Sequence, residues 1–185
     1  MMMSRTSEAR IAEKNHIAAR AGSPSDGYSS VPGVRVVVAI VIEWQHKIAL
    51  FRRSADLEHD AGRWHCITGF LEPWVTPYEQ ALQELAEETG LADPDLVELR
   101  AGPCLGLEDT TGTLWLVHTF TALSARRRLH INWEHDAYRW TSPAKVRRFS
   151  NQVSWLEAVL QATGHSATQV HGAVVDINNA TAAIN

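Results

Sequence analysis

The stretch Gln80-Ala-Leu-Gln-Glu-Leu-Ala-Glu-Glu-Thr-Gly-Leu91 decides the fold of this chain, because it combines a helical pattern with a cluster of like charges. Glu84, Glu87 and Glu88 stand at spacings of i, i+3 and i+4, which place their carboxylates on one face of an α-helix. Like charges at such spacings repel by roughly 0.2–0.5 kcal/mol per pair. A divalent metal such as Mg²⁺, which prefers hard oxygen ligands, is the first candidate to neutralise them. A solvated acidic face is the alternative interpretation.

An apolar stripe borders the acidic one and predicts that the helix packs against a core. Its members, at helical spacing, are Tyr78, Ala81, Leu82, Leu85 and Thr89. Thr76 supplies a capping residue, Pro77 the favoured first helical residue, and Gly90 a stop signal. The sequence therefore predicts an amphipathic helix that begins after Thr76 and ends before Gly90.

The residues before this helix, Trp64-His-Cys-Ile-Thr-Gly-Phe-Leu-Glu72, predict a short strand that runs into a glycine turn. Strand, loop and acidic helix in this order resemble the signature of the Nudix hydrolases. That signature is Gly, five residues, Glu, seven residues, Arg-Glu, an aliphatic residue, any residue, Glu-Glu, any residue, Gly and an aliphatic residue. The positions that fit it at the correct spacing are Gly69, Glu84, Leu85, Glu87, Glu88, Gly90 and Leu91.

Two positions depart from the family signature, and their role in the family differs from that of the positions that fit. Val75 stands where the family has its first glutamate, and Gln83 stands where it has arginine; Trp74 also occupies a position where many members have glycine. In the family, the helix glutamates carry most of the metal binding, while the missing pair braces the loop against the helix. Loss of such support can cost roughly 10–100-fold in affinity or activity. Glu72 is a candidate for part of the bracing role.

A second motif, Glu134-His-Asp-Ala-Tyr-Arg-Trp140, resembles two Nudix groups: dihydroneopterin triphosphate pyrophosphatases and animal-type diadenosine tetraphosphate hydrolases. Both groups cleave phosphoanhydrides in nucleotide-like substrates. The resemblance implies that Glu134 is a metal ligand or candidate base; an ordinary strand-end carboxylate is the alternative. Thr68-Gly69 and Ser150-Asn151 favour the pterin group, although the insertion at residues 56–62 separates this chain from both.

Further strands and a final helix complete the predicted fold. Strands are predicted at residues 34–44, 47–53, 96–107, 113–122, 128–132 and 137–140, a short helix capped by Ser142, and a last helix over residues 152–163. The resemblance, over roughly residues 34–163, implies an α/β fold: a Nudix-type α/β/α sandwich around a mixed β-sheet. We divide the chain into a mobile arm (1–32) with a short helix around residues 6–20, a Nudix domain (33–164) and a tail (165–185).

Composition excludes several other classes of protein. A net charge of −4 argues against a nucleic-acid binder, and the basic run Arg126–Arg128 predicts a solvated loop that could also collect anionic substrate. Cys66 and Cys104 lack metal-type spacing and are predicted to be buried and unpaired. No apolar run reaches the ~20 residues of a membrane span, and none follows the first residues, which predicts a cytoplasmic protein.

The expected function is metal-dependent hydrolysis of a phosphoanhydride in a small nucleoside- or pterin-polyphosphate. The resemblance assigns Mg²⁺ or Mn²⁺ to Glu84, Glu87 and Glu88, and adds Glu134 to these three as catalytic residues. Candidates for substrate binding are Arg52, Arg53 and Gly69, whereas His65 and His135 are interpreted as structural. The alternative is a catalytically impaired Nudix-fold module that binds a nucleotide and regulates a partner. A homodimer is an open alternative to a monomer, because the family often pairs its protomers.

Overall fold

A mixed seven-stranded sheet with a helix on either face forms the described part of the molecule, residues 33–108 and 112–166 of the computed structural model. The strands are Val34–Trp44 (β1), Lys47–Arg53 (β2), Trp64–His65 (β3), Ile67–Phe70 (β4), Leu96–Glu108 (β5), Leu114–Ser124 (β6) and His135–Thr141 (β7). The α-helices are Pro77–Thr89 (α1) and Leu156–Ala162 (α2), and 3₁₀ turns cover Asp93–Asp95 and Pro143–Arg148.

Strand β1 organises the sheet, because it pairs with three other strands. It runs parallel to β6 along its length and antiparallel to β4, where Val38 is opposite Gly69. Its hairpin with β2 is short, with Glu43 opposite Ile48. Beyond the hairpin β2 pairs instead with β3 and β7, so the sheet divides between β1 and β2. Strand β4 therefore ends beside the middle of the sheet, where the following loop leads into α1.

Alternate residues of β1 face two separate apolar cores. Val38, Ile40 and Ile42 are buried in the core that includes Ala81 and Leu85 of α1. The intervening residues Val37, Ala39 and Val41 are buried in a second core with Leu156, Val159 and Leu160 of α2. A strand buried on both faces is expected to be continuously apolar, as β1 is. The predicted α/β/α sandwich is confirmed.

Helix α1 has defined ends, as its sequence predicted. Thr76 Oγ1 accepts a hydrogen bond from the Glu79 N–H at 3.2 Å, while Glu79 Oε2 accepts one from the Thr76 N–H at 3.0 Å. This reciprocal pair is a capping box. Gly90 ends the helix in the left-handed conformation (φ 65°), and its N–H donates to the Ala86 carbonyl. Both ends of the acidic helix are therefore fixed.

Three local predictions in the C-terminal half are wrong. Residues 128–132 form no strand, because the His130 N–H donates to the Thr89 carbonyl at the end of α1 rather than to the sheet. The last helix begins at Leu156, since the Val153 N–H is used to bind the Trp64 carbonyl. The Ser142 side chain makes no capping hydrogen bond.

The remaining predictions concern the ends of the chain and the cysteines. The predicted arm (1–32) with its helix, residues 109–111 of a predicted turn, and residues 167–185 of the tail lie outside the described residues. Cys66 and Cys104 are buried, as predicted, and form no disulfide within the described residues; burial raises the pKa of Cys66 to about 12. Within the described ranges no helix combines the length and the apolar character needed to cross a membrane.

The Thr76→Ala substitution is expected to lower the free energy of unfolding by about 1 kcal/mol, because it removes the side-chain acceptor at the start of α1. Urea unfolding followed by circular dichroism measures the change. Ser142→Ala is the matched control, since Ser142 also precedes a helical turn but makes no side-chain cap. Equal losses in the two variants would contradict a stabilising capping box.

Candidate active site

The acidic face of α1 lies against the end of β4, where Gly69 leaves room for a carboxylate. A Cβ added at Gly69 would overlap the Glu84 carboxylate group. Glycine is therefore required here by the close approach of a side chain, and no positive φ angle is involved. The strand end and the helix together form a cradle for Glu84.

Glu84 and Glu88 form a partly to fully buried carboxylate pair. Their side chains share a hydrogen bond, so one of them carries a proton in the metal-free protein. Burial, the hydrogen bond to Glu84 and the negative charge of Glu134 raise the pKa of Glu88 to about 10, against an opposing effect from Arg53. Burial also raises the pKa of Glu84. One proton thus reduces the charge of the pair to −1, as is expected for two adjacent buried carboxylates unless a cation replaces the proton.

Two neutral side chains lie beside the carboxylate pair: Gln80 is hydrogen-bonded to Glu84, and His135 lies near Glu88 without a hydrogen bond at Nδ1 to any described residue. Gln80 donates from Nε2 to Glu84 Oε1 at 2.9 Å, and its Oε1 accepts from the backbone N–H of Glu72 at 3.1 Å. His135 Nδ1 lies 3.5 Å from Glu88 Oε2, with both side chains buried. Burial lowers the pKa of His135 to about 4, so the imidazole is neutral at neutral pH. Neither support adds a positive charge to the site.

The remaining residues predicted for the site differ in how they are placed. The charge of Glu134 acts on both Glu84 and Glu88, and that of Arg53 on Glu88. Glu87 is exposed and accepts a hydrogen bond from Gln83 Nε2 at 3.0 Å. Arg52 is also exposed and pairs with Asp136 at 3.8 Å. Glu84 lies against Gly69 and pairs with Glu88, and the charges of Glu134 and Arg53 act on this pair. The charge of Glu87 also acts on Glu84, whereas Arg52 pairs outside this group.

The basic run is divided in the same way. Arg126 pairs with Asp95 at 3.0 Å and donates to the Gly90 carbonyl at the end of α1, a stabilising position for a cation. Arg127 and Arg128 instead line an outer cavity of about 500 Å³ together with Tyr138 and Trp140. The first arginine of the run thus has an ion-pair partner, whereas Arg127 and Arg128 are exposed, with the Arg127 guanidinium 5.6 Å from the centroid of the Trp44 ring.

The donor set fits a divalent cation of the Mg²⁺ or Mn²⁺ type. Within residues 33–108 and 112–166 no three His, Cys, Asp or Glu side chains are already gathered as a metal site. The site nevertheless offers hard carboxylate oxygens, a proton that a cation would displace, and a cradle at Gly69 that a Cβ would fill. Glu84 and Glu88 would hold the cation, and Glu134 is the further carboxylate whose charge reaches both.

Sequence reasoning missed Gln80 and the conformation of Trp74. Gln80 stands four residues before Glu84, on the acidic face of α1, and that spacing was the one available signal of its contact. Trp74 adopts φ 70° and is 96% exposed, so the loop keeps the left-handed conformation of the expected glycine. The predicted brace from Glu72 comes from its backbone N–H, since its side chain is exposed.

The fold is an α/β/α sandwich with an acidic helix face against the end of β4, and comparison with known proteins identifies the family. A family model described as NUDIX domain matches residues 32–162, and the chain belongs to the Nudix family. No curated protein sequence matches the chain.

Several solved structures share the fold at low sequence identity. The MutT protein of Methanosarcina mazei has a TM-score of 0.60 and 20% identity over 69% of this chain and 91% of its own. The NUDIX domain of Shewanella oneidensis NrtR, complexed with ADP ribose, has a TM-score of 0.59 and 19% identity over 82% of this chain and 97% of its own. A Caenorhabditis elegans Ap4A hydrolase has a TM-score of 0.56 and 14% identity over 70% of this chain and 95% of its own. These likenesses establish the fold.

The Gly69→Ala substitution is expected to weaken Mn²⁺ binding by about 10–100-fold, because the new methyl group displaces the Glu84 carboxylate. Titration of free Mn²⁺ by electron paramagnetic resonance measures the affinity without substrate. Gly102→Ala is the control, since its Cβ would crowd Thr119 Oγ1 on β6 instead of a carboxylate. Unchanged Mn²⁺ affinity in Gly69→Ala would rule out Glu84 as a ligand in this cradle.

The metal-free protein is expected to lose stability as pH rises from about 5 to about 10, because Glu88 stays protonated when folded and ionises when unfolded. The unfolded chain then binds fewer protons, and the free energy of unfolding falls by up to roughly 1.4 kcal/mol per pH unit from this group. Glu88→Gln should flatten that slope, whereas Glu87→Gln, at an exposed position, should preserve it. Thermal melts in EDTA across this range test both variants, and parallel slopes in wild type and Glu88→Gln would contradict the raised pKa.

Proposed function

We propose that this Nudix protein is a Mg²⁺- or Mn²⁺-dependent pyrophosphohydrolase that cleaves a phosphoanhydride bond in a nucleoside- or pterin-polyphosphate. The observation that carries the proposal is the Glu84–Glu88 pair, which is held against Gly69 within reach of the charges of Glu134 and Arg53. Nudix hydrolases are generally metal-dependent enzymes that act on nucleoside diphosphate derivatives. A structural role alone would not explain two adjacent carboxylates that burial and mutual repulsion both disfavour.

Each charged group in the site has a role in such a reaction. A divalent metal, when bound, supplies positive charge for the phosphates and makes water a stronger acid. Glu134 accepts a proton from the attacking water while the water oxygen forms a bond to phosphorus. The bridging P–O bond breaks, and its electron pair leaves with the departing phosphate group. Arg53, whose charge already acts on Glu88, pairs with a phosphate oxygen of the substrate.

Glu134 is a better general base than Glu87, the other carboxylate considered for that role. Glu87 is exposed, and Gln83 holds its Oε1 at 3.0 Å. Glu134 instead lies immediately before β7, where the Ser54 N–H donates to its carbonyl at 2.7 Å and Asn132 Oδ1 accepts from its N–H. These bonds fix the Glu134 backbone beside the carboxylate pair.

The substrate class follows from the motifs and from the ligands of similar proteins. Thr68-Gly69, Ser150-Asn151 and the motif Glu134–Trp140 support dihydroneopterin triphosphate, with deoxynucleoside triphosphates and diadenosine polyphosphates as the related candidates. Two of the similar structures are an Ap4A hydrolase and a domain complexed with ADP ribose. A small nucleotide-like molecule is the common feature of these ligands.

The second candidate function is a catalytically silent module that binds a nucleotide and regulates a partner. The hydrogen bond from Gln83 to Glu87 favours it, because it occupies a carboxylate that the family uses for metal binding. Val75 supports the same view, since it cannot supply the carboxylate that the family has there. Such a module would bind ligand without metal-dependent turnover.

An assay with dihydroneopterin triphosphate, deoxynucleoside triphosphates, diadenosine polyphosphates and ADP-ribose separates the two functions. With Mg²⁺ or Mn²⁺, the wild type should hydrolyse at least one of them, and Glu134→Gln should lower kcat by about 10²–10⁴-fold as expected for loss of a general base. Anion exchange resolves the products and identifies the bond cleaved. The control is Glu157→Gln, in α2 on the opposite face of the sheet.

Either result of this assay is informative about the altered signature. Turnover that depends on Glu134 would establish the hydrolase despite Val75 and Gln83. Ligand binding by calorimetry without any turnover would favour the regulatory module and overturn the proposed hydrolase.

A further inference from the structure

We propose that Gln80 is a positioning residue, which ties the loop after β4 to the Glu84 carboxylate and replaces the brace that Val75 and Gln83 do not form. The inference deepens the proposed function, and its catalytic consequence rests on that function. Its effect on metal binding does not require turnover and is testable separately.

The contacts of Gln80 use both ends of its carboxamide. Nε2 donates to Glu84 Oε1 at 2.9 Å, and Oε1 accepts from the Glu72 N–H at 3.1 Å. The partners fix the orientation of the amide, because a backbone N–H can only donate and a carboxylate can only accept. The residue is 1% exposed, so its own carboxamide is largely shielded from water. Gln80 therefore connects the loop backbone directly to a candidate metal ligand.

Within residues 33–108 and 112–166, the side chains at the two altered positions, Val75 and Gln83, do not make that connection. Val75 has no polar atoms, and the amide of Gln83 donates to Glu87 on the exposed face of α1. The Glu72 carboxylate is exposed, while its backbone N–H is the group that Gln80 binds. The two departures from the family signature thus coincide with a buried bridge built from a different helical position.

The bridge also suits the charge of the site. A hydrogen bond from Gln80 favours the ionised form of Glu84, and it opposes the effect of burial on the pKa of that group. A neutral amide does so without adding a positive charge that would compete with a cation. Because the loop N–H is held by the same side chain, movement of the loop and movement of Glu84 are coupled.

The test compares Gln80→Leu, which keeps the volume but removes both hydrogen bonds, with Gln152→Leu. Gln152 makes two hydrogen bonds, to the Val146 and Phe149 carbonyls, far along the chain from the carboxylates. Mn²⁺ affinity by paramagnetic resonance should fall about 10–100-fold in Gln80→Leu and stay unchanged in Gln152→Leu. Hydrogen exchange of the Glu72 amide should accelerate only in Gln80→Leu.

A rescue variant distinguishes positioning from a general loss of stability. Val75→Glu with Gln83→Arg, introduced into Gln80→Leu, restores the family brace and should recover most of the lost Mn²⁺ affinity. Gln80→Glu keeps the acceptor for the Glu72 N–H but replaces the Nε2 donor by a carboxylate, which repels Glu84 from its position against Gly69. It should therefore protect the Glu72 amide and still weaken Mn²⁺ binding. It also serves where Gln80→Leu does not fold.

The outcomes separate this inference from the proposed hydrolase. Wild-type Mn²⁺ affinity in both Gln80 variants would overturn the positioning role, even if the protein is an active enzyme. Reduced affinity in both, together with no turnover by the wild type on any substrate, would support the positioning role and overturn the hydrolase. If the wild type binds no Mn²⁺, both proposals fail.

Discussion

The buried Glu84–Glu88 pair is the constraint on which the rest of the site depends. Two carboxylates this close inside a protein cannot both be ionised without a cation, so the metal-free chain keeps a proton between them. Helix α1 can hold this unfavourable arrangement because its other face is fixed in the core by Ala81 and Leu85. The stability of the apolar core thus offsets the cost of the charged site.

The supports around this pair explain how the site keeps its negative charge. Gln80 and His135 are both buried and neutral, and each lies against one of the two carboxylates. Arg53 is the cation whose charge reaches Glu88, and its Nε donates to the His59 carbonyl at 3.3 Å rather than to a carboxylate. Within the described residues Arg53 makes no direct ion pair with Glu88, so its side chain does not block the carboxylate oxygens that would hold a divalent cation.

The elements that were predictable from sequence are those whose signals are local. The capping residue, apolar stripe and terminal glycine of α1 lie within fifteen consecutive residues, and the β1–β2 hairpin follows from two adjacent apolar runs. The segment at residues 128–132 was predicted wrongly because its backbone bonds to Thr89, a contact that local pattern does not encode. Gln80 was missed for the same reason, since one of its partners is a main-chain N–H across the loop. The acidic spacing predicted that Glu84, Glu87 and Glu88 share one face of α1. Burial and tertiary hydrogen bonds, which the spacing does not encode, decide that Glu84 and Glu88 are enclosed while Glu87 is exposed.

Trp74 shows that the altered signature changes side chains without changing the path of the loop. A left-handed conformation costs a non-glycine residue of order 1–3 kcal/mol, and at 96% exposure the Trp74 side chain has little packing to offset it. The conformation is therefore imposed from outside the residue. It is set by the register of β4 with β1 at one end of the loop and by the capped start of α1 at the other. Because both ends of the loop are held, Glu84 lies against Gly69 although residues 74 and 75 are tryptophan and valine. These two departures are therefore weak grounds for concluding that the site is inactive.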